Sequence, residues 1–388
     1  MSEWTTIRLG SVVRTNTTAY SPKEGWKYVN YLDTGNLTEN VIDAIQNIDL
    51  ANEKLPSRAK RKVQINSILY STVRPNQKHF GIIKSMPENF LVSTGFVVID
   101  VIPEKVDADY LYFWLTQKNV VEQLHAIAEQ SVSAYPSIKA SDIENLEITL
   151  PPLTVQKSIA SILISISDKM SHNSNINENL EQQALALFSN YYEHSTTEVG
   201  FTDLIQVLGG GTPKTGERTY WNGNIPFFTP KDIDCPYTLA TEKTITDDGL
   251  SHCNSRLYPV NTVFVTARGT VGKVGIAGVP MAMNQSCYAL IGKGIHQLLA
   301  YFYTLKVVDR LKHKASGAVF DAIITKDFET VQVVKLFPND ADTFIKIAEP
   351  MYQFILNNSI ENQRLIALRN SLLPKLMSSE LDVSGIQL

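Results

Sequence analysis

One stretch in the middle of the chain, residues 151–192, reads PPLTVQKSIASILISISDKMSHNSNINENLEQQALALFSNYY. Two prolines open it, and proline is accepted in the first turn of a helix but not in its interior. Apolar side chains then recur in alternating steps of four and three residues, at Ile159, Leu163, Ile166, Met170, Leu180, Ala184, Leu187 and Tyr191. Asn173 and Asn177 occupy the two positions missing from this series. A seven-residue repeat over about 30 residues predicts one long helix that packs as in a coiled coil.

The same pattern occurs again near the C-terminus, 185 positions later. A buried Asn in such a seam lowers stability but fixes the register and the partner. The alternative is that these Asn residues are solvated and that each helix packs only on its own domain. Their repeated placement favours pairing of the two helices. The predicted pairing residues are Met170, Asn173, Asn177, Leu180, Ile355, Asn358, Asn362 and Leu365.

The length and charge of the chain limit what it can be. With 388 residues it exceeds the size that one hydrophobic core usually supports, so two or more domains are expected. An apolar fraction of 44% and a charged fraction of 19% are typical of a folded soluble protein. The net charge of −4 is not that of a protein that coats nucleic acid by charge alone. Any DNA binding must therefore come from local basic surfaces or be helped by a partner.

Compartment and metal signals are also informative. No basic segment followed by an apolar core opens the chain, and no apolar run is long enough to cross a bilayer. The three cysteines, Cys235, Cys253 and Cys287, are widely spaced and match no zinc-ligand spacing. Such cysteine usage suits a reducing compartment. We therefore expect a cytoplasmic protein without a membrane segment or a metal.

The rest of the chain forms two globular segments that repeat one order of elements. The first has predicted strands at 27–32, 68–73, 90–101 and 146–150, and predicted helices at 107–129 and 139–145. The second has predicted strands at 225–229, 262–267, 287–291 and 331–337, and predicted helices at 297–314 and 325–330. Particular residues recur as well, among them Asp142 and Asp327 at the 185-residue offset, and Arg74 and Arg268 at an offset of 194.

These patterns predict an internal repeat, in which one structural unit occurs twice along the chain. The expected boundaries are a first recognition domain at 1–150, a central spacer helix at 151–195, a second domain at 196–340 and a C-terminal spacer helix at 341–388. The fold class is α+β: two repeated mixed α/β domains separated by two long helices, which form an antiparallel coiled coil with pseudo-two-fold symmetry.

Motifs for catalysis are missing. The segment 209–216, GGGTPKTG, has the glycine spacing of a phosphate-binding loop, but Glu217 and Arg218 stand where that motif needs Lys and Ser or Thr. There is no Asn/Asp-Pro-Pro-Tyr/Phe motif for base methylation, no His-x-x-x-His pair and no Gly-x-Ser-x-Gly elbow. We therefore expect a non-catalytic chain that holds no cofactor.

The remaining candidates are basic, amide and hydroxyl side chains in loops, which are the side chains that bind the phosphates and base edges of a nucleic acid. Arg can bridge guanine O6 and N7, Asn and Gln can bridge adenine N6 and N7, and Lys, Ser and Thr mostly hold phosphates. Each such residue alone is more often a solvated surface residue, but their occurrence in equivalent loops of two repeated domains favours binding. The candidate DNA-binding residues are Arg58, Lys60, Arg61, Arg74, Asn76, Lys78, Thr212, Lys214, Lys231, Arg268, Lys273, Asn284, Gln285 and Ser316.

Several segments resemble one known family along nearly the whole chain. They are 208–221 (LGGGTPKTGERTYW), 225–232 (IPFFTPKD), 266–277 (TARGTVGKVGIA), 284–288 (NQSCY), 315–324 (ASGAVFDAII), 150–160 (LPPLTVQKSIA) and 372–376 (LLPKL). The first five resemble the target-recognition domains, and the last two the spacer helices, of the DNA-specificity subunits of type I restriction–modification systems.

This resemblance implies a function. Each domain would dock on one half of a bipartite double-stranded DNA target, and the antiparallel helices would fix the separation of the two halves. The subunit would neither methylate nor cut DNA. It would recruit two methyltransferase subunits, which bind S-adenosylmethionine, and motor–nuclease subunits, which use ATP. Two alternatives remain: a scaffold that binds only protein and, disfavoured by the missing motifs, a methyltransferase in its own right.

Overall fold

The computed structural model describes residues 4–131, 135–234, 236–314 and 322–383, apart from the side chain of Lys314. The chain divides into two units. The first unit consists of residues 1–169 and 365–388, and the second of residues 170–364.

The first unit is built mainly from short strands. Its strands are β1 (Thr5–Arg8), β2 (Val13–Thr15), β3 (Tyr28–Leu32), β4 (Leu37–Thr38), β5 (Val41–Ile42), β6 (Gln46–Asp49), β7 (Ala59–Arg61), β8 (Ile68–Ser71), β9 (Phe80–Ile82), β10 (Phe90–Ser93), β11 (Phe96–Val101) and β12 (Glu147–Leu150). They form two four-stranded sheets, in the orders β6-β3-β10-β7 and β2-β11-β8-β9, and the pairs β1-β12 and β4-β5. Helices α1 (Ala108–Leu115), α2 (Lys118–Glu129) and α3 (Ala140–Glu144) accompany them.

Two predicted elements of the first unit are interrupted. The predicted strand 90–101 is two strands, because the chain turns at Thr94 and Gly95, where the Gly95 N–H donates to Ser93 Oγ at 3.2 Å. The predicted helix 107–129 is two helices, because Gln117 adopts an extended conformation, with φ −61° and ψ 142°, and caps the second one. Both predictions of continuous elements were therefore wrong at these points.

The second unit repeats this design. Its strands are β13 (Thr197–Gly200), β14 (Ile205–Gly209), β15 (Trp221–Phe228), β16 (Tyr237–Thr238), β17 (Lys243–Ile245), β18 (Val263–Thr266), β19 (Val274–Ala277), β20 (Ala282–Met283), β21 (Cys287–Gly292) and β22 (Gln332–Lys335). The sheet order β14-β21-β18-β19 corresponds to β2-β11-β8-β9, with β16 added at the edge, and β17-β15-β20 corresponds to β6-β3-β10. Helices α5 (Phe201–Leu204), α6 (Asp247–Ser251), α7 (Gln297–Lys314) and α8 (Thr325–Thr330) complete it.

The recurring aspartates mark the same local structure in both units. Asp142 accepts a hydrogen bond from the Lys139 N–H at 2.7 Å at the start of α3. Asp327 accepts one from the Ile324 N–H at 2.8 Å at the start of α8. A carboxylate in the first turn satisfies a donor that the helix itself cannot pair. The 185-residue offset in sequence therefore reflects a repeated helix start.

Two long helices complete the chain: α4 (Leu153–His194) and α9 (Pro338–Met377). In the second unit their side chains meet with opposite chain directions, since Asn173 contacts Asn362 and Asn177 contacts Asn358. In the first unit, Ile159 and Leu163 of α4 share a buried core with Leu376 of α9. The predicted fold class, two mixed α/β domains with paired antiparallel helices, is confirmed.

The helix seam in the second unit is polar where the sequence pattern is polar. Asn173 Nδ2 donates to Asn362 Oδ1 at 2.9 Å, and Asn358 Nδ2 donates to Asn177 Oδ1 at 2.8 Å. Asn362 Nδ2 also donates to the Met170 carbonyl at 3.3 Å. Asn173 is 1% exposed and Asn358 7% exposed, so these bonds replace water.

The apolar members of the predicted pairing set differ in their burial. Ile355 is fully buried, and Leu180 packs against the same core. Leu365 is half-buried and belongs to the first unit. Within the described ranges, none of the helices is both long and apolar enough to span a bilayer.

Candidate nucleic-acid interface

The loop that carries Arg74 follows strand β8 in the first unit. Arg74 and Lys78 flank a single 3₁₀ turn, Pro75–Gln77, and both have left-handed backbones, with φ 47° and 58°. Such a conformation is strained for residues other than glycine and is held only when the surroundings determine it. The Arg74 guanidinium lies over the Tyr135 ring at 5.6 Å, and the Arg74 N–H donates to the Pro136 carbonyl at 3.0 Å. Arg74 is therefore an exposed charge on a rigid loop.

The neighbouring polar residues differ in whether another side chain of the domain already pairs with them. Asn76 is exposed. Lys78 forms an ion pair with Glu39 at 2.8 Å, and both side chains are about half exposed, at 51% and 54%. Such an exposed pair is weak and can exchange for a phosphate.

The basic cluster at 58–62 separates into three kinds of residue. Arg58 and Lys60 are exposed. The Lys62 ammonium hydrogen-bonds to Glu24, and this bond holds the pKa of that carboxyl below its usual range. Arg61 is half-buried, and its guanidinium donates to Asn16 Oδ1 and to the Phe96 carbonyl. Burial lowers the pKa of Arg61, and its donors are directed into the domain.

A short relay of backbone hydrogen bonds joins the loops of the first unit. The Thr72 N–H donates to the Gly95 carbonyl at 2.7 Å, and the Ile138 N–H donates to the Thr72 carbonyl at 2.8 Å. The Thr94 N–H donates to the Arg58 carbonyl at 2.8 Å. The relay therefore draws together the loops around Arg58 and Arg74, which are distant in sequence.

The second unit repeats two of these three bonds. The Ala267 N–H donates to the Ser286 carbonyl at 2.8 Å, and the Ile323 N–H donates to the Ala267 carbonyl at 2.9 Å. Ile138 and Ile323 are separated by the 185-residue offset. The loops that hold Arg268 and Gln285 are thereby joined as their counterparts are in the first unit.

The glycine-rich segment 209–216 belongs to this loop cluster. A Cβ at Gly210 would collide with the Asn284 carbonyl oxygen, so only glycine permits the two backbones to approach. Two residues after Gly210, the Thr212 hydroxyl hydrogen-bonds to Gln285 Oε1. The glycines therefore serve close packing of loops, which agrees with the rejection of a phosphate-binding motif.

Arg268 and Lys273 lie on the hairpin loop between β18 and β19, and both are exposed. Gly269 and Gly272 give this loop positive φ angles of 79° and 76°. Thr266 closes the loop, because the Gly272 N–H donates to the Thr266 carbonyl at 2.8 Å.

The other predicted residues of the second unit lie on neighbouring turns. Lys231 is exposed just after β15, whose last residue, Phe228, accepts from the Asn284 N–H at 2.9 Å. Asn284 Oδ1 accepts from the Ser286 N–H at 3.0 Å, which fixes this side chain. Lys214 is exposed, and its carbonyl accepts from Trp221 Nε1 at 3.2 Å. Ser316 lies outside the described residues.

Lys312, on α7, is absent from the candidate residues named above, but it belongs to the basic run 306–314, whose exposed face could also contact phosphate. It is exposed, and a Cβ at Gly272 would lie only 2.5 Å from its Cε atom, so its stem lies against the Arg268 loop. The sequence contains a basic run at 306–314 but does not indicate which side chain faces the loop. The structure makes that selection.

Among the described residues, no cluster of three or more His, Cys, Asp or Glu side chains is arranged to bind an ion. The chemistry available at these loops is hydrogen bonding and charge.

Comparison with known proteins is consistent with these features. The family model for the type I restriction modification DNA specificity domain matches residues 1–182 and again residues 196–370. The type I restriction enzyme HindI specificity subunit of Haemophilus influenzae is 23% identical, over 98% of this chain and 100% of that protein. The type I restriction enzyme MjaIX specificity subunit of Methanocaldococcus jannaschii is 30% identical, over 42% of this chain and 39% of that protein.

A solved structure has the same fold. The crystal structure of the type I restriction–modification system S subunit from M. genitalium matches with a TM-score of 0.61 and 15% identity, over 97% of this chain and 96% of that one. The two family-model matches together span most of the 388 residues, one over each recognition domain. The chain therefore belongs to the type I restriction–modification DNA-specificity family.

Proposed function

We propose that this specificity subunit reads a bipartite double-stranded DNA target, one half through each recognition domain. The bases and phosphates of the target would be contacted mainly by exposed side chains of the loops and neighbouring turns described above. In the first unit the exposed residues are Arg58, Lys60, Arg74, Asn76 and Lys78, and in the second they are Lys214, Lys231, Arg268, Lys273 and Gln285, with Lys312 added; the half-buried Thr212 and Asn284 lie beside Gln285. Arg61 is assigned to hold its own domain together, because its donors are used there.

One observation carries this proposal. Both units present an exposed arginine, Arg74 or Arg268, on a loop that the same backbone relay ties to a second polar loop. Arginine on a rigid loop can form the bidentate contact to guanine that reads sequence in the major groove. Two copies of this arrangement suit a target with two specified halves.

The proposed partners account for the charge of the chain. A net charge of −4 is unfavourable for a protein that must hold duplex DNA alone. Two methyltransferase subunits and motor–nuclease subunits would supply further phosphate contacts and all of the catalysis. This work on cellular DNA would take place in the cytoplasm.

The test is selection from fully randomised duplexes by the chain co-purified with its methyltransferase subunits. We expect two specified segments around an unspecified gap. Arg268→Ala should lower discrimination at one segment by about 1–3 kcal/mol, and Arg74→Ala should do so at the other. Arg364→Ala, an exposed position on α9, is the matched control and should change neither segment.

Three outcomes would contradict the proposal. Equal weakening on all duplexes by Arg268→Ala would assign it to phosphate. An absence of sequence preference in the wild-type complex would favour a protein-only scaffold. Methyl transfer from labelled S-adenosylmethionine by the purified chain alone would make it a methyltransferase.

We further propose that α4 and α9 set the gap between the two halves of the target. Their seam contains matched Asn pairs, which admit one register of the two helices and disfavour others. A pair of helices with a single register can serve as a spacer of defined length.

A further inference from the structure

The last residue of one sheet strand carries a buried hydroxyl in both units. In the first unit it is Ser71, at the end of β8, which is 3% exposed. In the second it is Thr266, at the end of β18, which is 0% exposed. The residues before them are apolar and buried, so an apolar side chain would be the less costly choice at the same position.

Both hydroxyls are used by the loop that follows the strand. Thr266 Oγ1 donates to the Thr270 carbonyl and accepts from the Lys273 N–H at 2.9 Å. Ser71 Oγ donates to the Val73 carbonyl at 3.0 Å and accepts from the Val73 N–H at 3.2 Å. Short hydroxyl side chains that bond to nearby backbone in this way set the local chain direction.

The arginine of each loop lies close to these bonds. Arg74 is three residues after Ser71, and Arg268 is two residues after Thr266. In the second unit, the bonded segment from Thr266 to Lys273 contains Arg268 and both glycines with positive φ. A loop with two such glycines has many alternative conformations, and the hydroxyl bonds select one of them.

We infer that Ser71 and Thr266 are positioning residues for sequence recognition, each holding the arginine-bearing loop of its own domain in the reading conformation. The inference rests on the proposed function and adds a role for two residues that do not themselves reach DNA. Neither residue carries a charge and both are buried, so neither makes a phosphate contact itself.

The test uses the complex of the full chain with its methyltransferase subunits and fully randomised duplexes. Thr266→Val removes the hydroxyl and keeps the shape, and it should lower discrimination at one half-site by about tenfold or more while the other stays unchanged. Ser71→Ala should affect the other half-site alone. Thr266→Ser and Ser71→Thr keep the hydroxyl and should restore the wild-type preference.

The outcomes separate this inference from the function on which it rests. A wild-type complex with no bipartite preference would reject both. If the wild type is bipartite and Arg268→Ala relaxes one half, but Thr266→Val leaves both halves intact, only the positioning role is rejected. Equal loss at both half-sites, or failure of Thr266→Ser to restore the preference, would indicate general misfolding and would also overturn the inference.

Discussion

At the scale of single residues, the same side-chain type has different roles that only the fold distinguishes. Arg61 belongs to the basic cluster 58–62 and Arg74 follows a predicted strand, and the sequence alone places both in one set of DNA-binding candidates. The acceptors that engage Arg61 come from Asn16 and Phe96, which are 45 and 35 residues away. Such long-range partners leave no local sequence signal, whereas the exposed loop position of Arg74 could be predicted from the flanking turn residues.

Arg61→Ala should therefore act on stability. It removes two hydrogen bonds from a charged donor, to Asn16 Oδ1 and to the Phe96 carbonyl, each contributing about 1.5–3 kcal/mol. We expect a lower thermal midpoint of the first unit and unchanged discrimination by the folded complex. Lys60→Ala, at the exposed neighbouring position in β7, is the stability control. Relaxed base preference without loss of stability would assign Arg61 to DNA instead.

At the scale of elements, long periodic segments were predictable and interrupted ones were not. Helices α7 (Gln297–Lys314) and α8 (Thr325–Thr330) begin and end at the predicted residues. The break at Thr94–Gly95 depends on distant partners, because β10 and β11 join different sheets and the Thr94 N–H donates to the Arg58 carbonyl. The break at Gln117 is local, with the Gln117 side chain donating to the Trp114 carbonyl at 3.3 Å. Pro350 lies inside α9, where proline usually disrupts a helix, but Ala348, Tyr352 and Ile355 are buried beside it and hold the helix in place.

The Asn pairs of the helix seam give a prediction at this scale. Asn358→Leu alone leaves Asn177 Oδ1 without its 2.8 Å donor and should cost about 1–3 kcal/mol. Asn177→Leu combined with Asn358→Leu makes an apolar pair and should recover most or all of that loss. A thermal double-mutant cycle measures the coupling, with Asn175→Leu at an exposed position of α4 as the control. Strictly additive effects would mean that the two amides do not interact.

At the scale of the whole molecule, the internal repeat could be predicted because equivalent residues of the two units are separated by a nearly constant number of positions. The same offset recovers Ile138 with Ile323 and Asp142 with Asp327. The sequence could not predict how the candidate interface assembles, because its loops come from segments far apart in the chain. Which residues close the relay, such as Gly95 and Ser286, follows from strand order and not from local composition.

A matched insertion tests the spacer role. Seven residues added after Asn175 in α4 and after Ser359 in α9 lie between the two Asn pairs and lengthen both helices by about 10 Å. At about 3.4 Å per base pair, the gap in the selected target should grow by about three base pairs. An insertion in α4 alone must be accommodated outside the pairing and is the control. An unchanged gap with the paired insertion would argue against a spacer function.

The central claim is that the two recognition domains read two separate halves of one target. The most direct measurement is a map of every base methylated by the wild-type complex in genomic DNA. If each recognition domain reads one half, the methylated sites will contain two short specified segments separated by an unspecified gap of constant length. A single uninterrupted motif, or methylation without sequence preference, would contradict it.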